Sequence, residues 1–419
     1  MVPRIRLAVA ILACLGATEA SAQSAADTVR GVTVLTRPRP ELDPPGMRIG
    51  SFRLDASATG GLGYDSNIFG NNAIRQGSGF WDTYLAAALT SEWTTHALSF
   101  TAGLSDRYYF DQSTLNWTDW NVGVAGRYDF SGSANMSAGY QHQRSHLPVS
   151  SVDVQQAGIL QQVPYSTDEF RLGGTIGINR LRLTAEGNYR MYRFDSVSAE
   201  TVAQGTNPNT ALLDFNTFAA GLSAAYEFSP GRSALLTGRI QDVRYTDSAY
   251  SDRNSFTWAV LGGFRYDFDG VWQAAAAIGW LQRDFNGPTY ATISAPILEA
   301  QAFWNVTQIS TISLAIRRGV DESVRSDAAS YLRTYARLGV DHELRRDIIL
   351  SGALLLDRRE YKTPVQHADD GIVQAGAQWF LNRAVSVGLN YQYTNRFSRT
   401  VGLPAFDQNL AMLRLRIAL

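Results

Sequence analysis

The feature that most constrains this chain is a period-two alternation that outlasts any ordinary soluble strand and recurs to the last residue. From Ser51 onward, Phe52, Leu54, Ala56, Ala58, Gly60, Leu62 and Tyr64 occupy one face, with Arg53, Asp55, Ser57 and Thr59 on the other. Alternation of this kind is the signature of a strand. Its apolar face continues for about a dozen residues, where soluble strands average five or six and tilted membrane-spanning strands need about ten. The same pattern returns in Trp120, Val122, Val124, Gly126, Tyr128, Phe130, in Phe218 to Phe228, and in Phe256 to Phe268. Eighteen such segments begin near residues 51, 80, 96, 118, 134, 168, 181, 215, 233, 255, 271, 296, 309, 330, 348, 371, 384 and 407. The expected fold is therefore all-β, a transmembrane antiparallel β-barrel of about 18 strands, occupying residues 50–419.

The connections alternate in length, as a barrel with short periplasmic turns and longer outer loops requires. Short turns fall at Thr94-Thr95, Ser131-Gly132-Ser133, Asn179-Arg180, Pro230-Gly231, Asp269-Gly270, Thr307-Gln308, Arg345-Arg346-Asp347 and Asn382-Arg383. Longer polar loops lie between them, around 65–79, 105–117, 144–167, 194–214, 245–254, 284–295, 318–329, 358–370 and 394–406. An even strand number places both ends of the barrel on the periplasmic side. Aromatic residues of the apolar face form two bands. Phe52, Trp93, Phe130, Phe228, Phe268, Trp272, Trp304 and Trp379 adjoin short turns, whereas Tyr64, Trp81, Tyr108, Trp120, Trp258 and Trp280 adjoin long loops. Twelve residue steps from Phe52 to Tyr64 separate the bands by roughly 28 Å at ~3.3 Å per residue and ~45° tilt, close to the apolar height of a bilayer.

Composition removes competing classes. No run of about 18 apolar residues occurs, which excludes a transmembrane helix. The net charge of −1 argues against a nucleic-acid binder. Residues 1–22 read as a signal peptide, with Arg4 and Arg6 before the apolar run Leu7 to Ala17 and a small-residue cleavage site before Gln23. The only cysteine, Cys14, lies in that run, so disulfides, cysteine-ligated metal and thiol chemistry are not expected in the mature chain. Residues 23–49 form a leader containing Arg37-Pro38-Arg39-Pro40 and Asp43-Pro44-Pro45-Gly46. It reads as an extended or polyproline tether that lies in the periplasm or enters the pore, and it is too short for a globular plug. The barrel is wide enough for an aqueous channel unless something fills it.

Strand parity places Arg53, Asp55, Arg127, Asp129, Arg171, Arg182, Glu186, Arg190, Arg239, Arg265, Asp267, Glu299, Arg317, Arg333, Arg337, Asp341, Glu343, Arg414 and Arg416 in the lumen. Arginines modestly outnumber carboxylates, which favours polar or anionic solutes unless the charges are mutually paired wall residues. The row Tyr331, Arg333, Tyr335, Arg337 shares one inward face and is the leading candidate for saccharide contact, or else a hydrogen-bonded ladder that stiffens the wall. Arg182, Arg190, Arg414 and Arg416 complete the expected luminal contact set. No catalytic, metal or cofactor site is expected. Gly-x-Ser-x-Gly and His-Glu-x-x-His motifs are absent, and His96, His142, His146, His342 and His367 are scattered. His367, Asp369 and Asp370 read as a solvated loop ending in a turn at Gly371.

Arg37 to Pro40, Gly46 to Phe52, and Gly63-Tyr64-Asp65-Ser66-Asn67-Ile68-Phe69 together resemble the opening of the Putative β-barrel porin 2 family of Gram-negative outer membranes. The resemblance implies an outer-membrane channel, in some relatives a conduit for a surface or extracellular polysaccharide that works with a periplasmic polysaccharide export protein. A passive general porin for small polar solutes is the alternative. Its expected surroundings are outer-membrane lipid and the barrel insertion machinery, whose final-strand signal Ala411, Leu413, Leu415, Ile417 and Leu419 resemble, though with leucine in place of the commoner terminal aromatic residue. Asp65 and Asn67 are expected to make Asx turns at the start of the first loop, in preference to holding a partner or a cation.

Overall fold

A computed structural model describes residues 32–197, 210–268, 270–325 and 327–419. The expected signal peptide, the leader before Val32 and most of the connection after residue 197 lie outside the described residues. In chain order the strands are β1 (Met47–Ile49), β2 (Phe52–Asp65), β3 (Ser78–Ser91), β4 (Ala97–Tyr109), β5 (Trp117–Ser131), β6 (Ala134–Leu147) and β7 (Val163–Ile178). They continue as β8 (Leu181–Phe194), β9 (Phe215–Ser229), β10 (Arg232–Tyr245), β11 (Ser255–Phe268), β12 (Trp272–Phe285) and β13 (Ile293–Thr307). The last six are β14 (Ser310–Glu322), β15 (Ser330–Arg345), β16 (Ile348–Tyr361), β17 (Gln366–Phe380), β18 (Val385–Arg399) and β19 (Asp407–Ala418). One short helix, α1 (Val152–Gln156), interrupts the β6–β7 connection.

From β2 to β19 each strand pairs antiparallel with its neighbour in sequence, and β19 pairs back onto β2 through Leu410↔Asp65 to Ala418↔Ser57. The result is a closed 18-strand antiparallel barrel, so the sheet has no free edge strand to leave backbone groups unpaired within the bilayer. No helix among the described residues is long and apolar enough to cross a membrane. Strand spacing near 4.8 Å and a tilt near 40° give such a ring a backbone diameter on the order of 35 Å.

Side-chain parity follows the sequence pattern. In β2, Leu62 and Tyr64 are exposed on the outside while Thr59 and Asp65 are buried inside. Trp272 and Trp304, register partners on adjacent strands, stack at 4.7 Å in the lower aromatic band. In the upper band Tyr64, Trp81, Tyr108, Trp120, Trp258 and Trp280 are all exposed on the outer surface.

Two strands start earlier than the pattern predicts. β7 begins at Val163, not near 168, and β17 at Gln366, not near 371. Both extensions continue above the bilayer, where no lipid-facing apolar residues are needed and the alternation fades. His367, Asp369 and Asp370 are therefore strand residues, with both aspartates buried, and not a solvated loop.

The leader also departs from expectation, because it is folded into turns and not extended. Arg37 donates its N–H to the Thr33 carbonyl at 2.9 Å, and Asp43 caps the second turn by accepting from the Arg39 N–H at 2.7 Å. Thr33, Thr36 and Asp43 supply side-chain partners for a backbone that prolines would otherwise leave open. β1 forms a hairpin with β2 through Gly50, whose φ of +61° suits the tight turn. This hairpin sends the leader back toward the lumen.

Candidate functional site

The lumen is built from the inward residues of the strands, and three layers occupy it from the outer mouth to the periplasmic one.

The outermost layer is the β6–β7 connection, which folds into the barrel. Around the ring β16 lies eight steps from β6 in one direction and ten in the other, so a contact between them spans the mouth. Such contacts exist. Tyr361 at the top of β16 donates its hydroxyl to Asp153 of α1 at 2.5 Å, and Asp153 also accepts the Val324 N–H at 3.1 Å. Arg396 of β18 donates to the Gln155 side chain at 2.7 Å and to the Ser150 carbonyl at 3.3 Å. Gln155 donates in turn to the Gly70 carbonyl at 2.6 Å. Val152 packs with Tyr361, Ala368, Ala328 and Leu403 on one wall, and Val154 with Tyr165, Tyr192, Phe194, Phe215 and Tyr245 on the other. The helix carries apolar residues at both faces because it is sandwiched between two walls. Ser151 caps it by accepting the Val154 N–H.

Asp65 and Asn67 shape the seat for this loop. The Asp65 carboxylate accepts the Asn67 N–H at 2.9 Å, the Asx turn expected from sequence, and also binds Gln408. The turn buries Ile68 against Phe80, Tyr109, Leu115 and Val149. Gly70 follows at φ +58°, and a Cβ there would stand 2.4 Å from the Ser150 Cβ. Gly70→Val is therefore expected to unseat residues 148–158 while leaving the barrel closed. Protease cleavage confined to that loop in the variant, with unchanged strand content by circular dichroism, checks this outcome.

Residues on two further outer connections also meet one another at this end of the barrel. Arg253 donates to the carbonyls of Arg325 and Ala328, and Arg325 forms a fork with Asp327 and reaches Gln366. Burial raises the Asp327 carboxyl, but hydrogen bonds and charge from Arg325 outweigh it and hold the group below its usual range.

The middle layer is a belt of ion pairs around the wall. Asp82 accepts from Arg107 at 2.7 Å and from Arg414 at 3.0 Å, and Arg414 also reaches the Tyr84 hydroxyl at 2.8 Å. Glu169 takes Arg190 at 2.6 Å and Asn188 at 3.0 Å. Arg239 pairs with Glu299 across three strands at 2.6 Å, and Arg396 with Asp370 at 2.8 Å. Arg333 is forked onto Asp357 at 2.7 and 3.1 Å, with Asp321 at 3.6 Å and Arg359 sharing Asp357 at 2.8 Å. Most of these charges are held by partners on neighbouring strands, so the belt stiffens the wall.

The row Tyr331 to Arg337 is consequently split. Tyr331 lies beneath the outer loops beside Tyr361 at 5.1 Å, and Arg333 is locked in the belt. Arg190 and Arg414 are locked likewise. Among the described residues Arg182, Arg337 and Arg416 form no ion pair with a carboxylate. Arg337 reaches only the Ser313 hydroxyl, at 3.4 Å. Arg182 and Arg416 sit near the periplasmic ends of β8 and β19.

The lowest layer is the leader. The Val34 N–H donates to the buried Thr311 hydroxyl at 3.0 Å, Asn305 holds the Val32 carbonyl at 2.9 Å, and Arg39 pairs with Glu343 at 3.0 Å. Arg37 donates to the Gln308 carbonyl. These partners lie on β13, β14, β15 and the turn between β13 and β14, whereas the leader departs from β2, so it crosses the periplasmic mouth. The sequence left open whether the leader enters the pore and whether a loop folds inward. Both narrow the channel. The overlooked signal was the set of apolar residues Val149, Val152, Val154 and Ile159, all buried, in a loop expected to face water.

No cluster of three His, Cys, Asp or Glu side chains suited to a metal ion occurs among the described residues. A membrane-spanning barrel with a charged lumen constricted at both mouths defines an outer-membrane channel of porin type. The family profile described as Putative beta-barrel porin 2 matches residues 39–419, and the chain belongs to that family. No curated protein matches the chain. Among solved structures it is similar to the outer membrane protein OpdK of Pseudomonas aeruginosa, with 12% identity over 87% of this chain and 99% of that one at a TM-score of 0.45. OccK2 (OpdF) of the same organism gives 12%, 87%, 98% and 0.47. OccAB3 of Acinetobacter baumannii gives 11%, 87%, 99% and 0.46.

Proposed function

We propose that this protein is a gated passive channel for small, polar, preferentially anionic solutes. The observation that carries the reading is the β6–β7 loop pinned across the lumen, an obstruction that disfavours bulky cargo. Arg182, Arg337 and Arg416, which make no ion pair among the described residues, supply positive potential below the belt, while Tyr335 lines the wall beside Arg337. Selectivity arises from such charge and not from a closed binding pocket. Replacing the three arginines with glutamine is expected to shift the reversal potential in a salt gradient toward cation preference, changing the permeability ratio by roughly severalfold. An unchanged reversal potential refutes the assignment of these residues.

A conduit for a surface polysaccharide is the second reading, and the leader favours it. A periplasmic polysaccharide export protein docking at the lower mouth has a ready target in Val32 to Asp43. Under this reading the channel stays shut until that segment is withdrawn. Arg39→Ala with Glu343→Ala is expected to raise the open probability in planar bilayers. Neutral oligosaccharide that then blocks the current supports polymer passage, whereas current indifferent to oligosaccharide supports the small-solute channel.

A further inference from the structure

A pocket at the outer rim belongs to neither constriction. The β5–β6 register ends at Trp120↔Arg144, whereas β6–β7 pairing continues to Leu147↔Val163 and β4–β5 pairing to Arg107↔Trp117. Above Trp120 the wall therefore splits, and the wedge encloses about 300 Å³. That volume is at the small end for ligand sites.

Its polar groups come in opposed pairs. The His146 ring nitrogen Nδ1 meets Asp119 at 3.0 Å, and Arg144 reaches Asp195 at 3.1 Å and Ser166 at 3.2 Å. Trp117, whose ring centre is 4.5 Å from that of His146, forms an apolar wall, and Gln161 contributes an amide that has no hydrogen-bond partner among the described residues. Because the Arg144 guanidinium already faces the Asp195 carboxylate and the His146 ring already faces Asp119, the site has little attraction for a phosphate. Donors and acceptors side by side instead match vicinal hydroxyls, each of which donates and accepts at once.

The position identifies the source of those hydroxyls. Arg144 carries the lipid-facing parity of its strand and stands level with Trp120 of the upper aromatic band. Directly below, Val122, Phe170 and Leu172 are exposed on the same outer surface, where acyl chains lie. We propose that this wedge binds the uncharged sugar headgroup of an outer-leaflet glycolipid, with its chains along β5–β7.

Native mass spectrometry of the full chain in detergent tests this with a neutral monoglycosyl diacylglycerol and a phosphatidylglycerol of identical acyl chains. The sugar lipid is expected to be retained preferentially. Asp119→Ala and His146→Ala are expected to weaken it about tenfold, the loss of one or two charge-assisted hydrogen bonds. Arg244→Ala, on a distant outer strand, should leave retention unchanged. Gln161→Ala provides a milder variant that keeps the Arg144–Asp195 and His146–Asp119 contacts should the others fail to fold. Equal retention of the two lipids, or retention unaffected by all three wedge variants, overturns the proposal. Displacement by free methyl glucoside at equal concentration overturns the lipid source and assigns the wedge to a soluble sugar.

Discussion

Excising residues 150–158 is expected to raise single-channel conductance at least about tenfold, since an 18-strand barrel without an internal plug holds a wide aqueous channel. Those residues include α1 and the groups that Tyr361, Arg396 and Gly70 hold across the mouth. Once they are gone, the lumen wall of β15–β18 no longer faces a loop. The leader still crosses the lower mouth, so the full effect is expected only when the excision is combined with Arg39→Ala. A single excision then gives a partial rise, and the ratio of the two currents measures how much each mouth contributes. Exposing Tyr192, Phe194, Phe215 and Tyr245 to water carries a cost, and Asp153→Ala offers a gentler version that removes only the contacts to Tyr361 and Val324. Conductance unaltered by either change removes the loop from the gating account.

The barrel was legible because the bilayer writes its demand into every strand. A residue facing lipid must be apolar, so Leu62, Trp120 and Phe264 mark the outer face wherever they occur. Above the membrane that demand ends, and β7 and β17 keep pairing through Pro164 and Asp369 without leaving an alternating trace. The lumen was legible in inventory but not in pairing. Parity alone places Arg333 and Arg337 on one face, but the partner Asp357 comes from the neighbouring strand, where register sets it opposite Tyr335 between the two arginines, and only the side-chain geometry shows that it takes Arg333 and not Arg337. Loop placement was the least legible, because Val152 and Val154 reveal burial without revealing which wall buries them. Asp65 and Asn67 were readable for the opposite reason, since an Asx turn is closed by residues two apart.

The largest stability effect is expected at Arg396 and Asp370. Arg396 has a fully buried side chain that donates to Asp370 at 2.8 and 3.2 Å, to Gln155 and to Ser150, with its guanidinium 5.0 Å from the Phe406 ring centre. Asp370→Ala leaves that cation without its counter-charge, a change that costs about 3–5 kcal/mol when a buried pair is broken from one side. Arg396→Met with Asp370→Ala removes both charges while keeping an unbranched apolar stem, and is expected to recover much of the loss. Urea unfolding of barrels refolded into phosphatidylcholine vesicles gives the three free energies. The conductance of the same variants should follow a different order. Arg396 is the group that reaches Gln155 and Ser150, so the double variant loosens the loop even where stability returns. A double variant that is restored in stability and also remains closed would show that Tyr361 and the packing of Val152 hold the loop without help from β18.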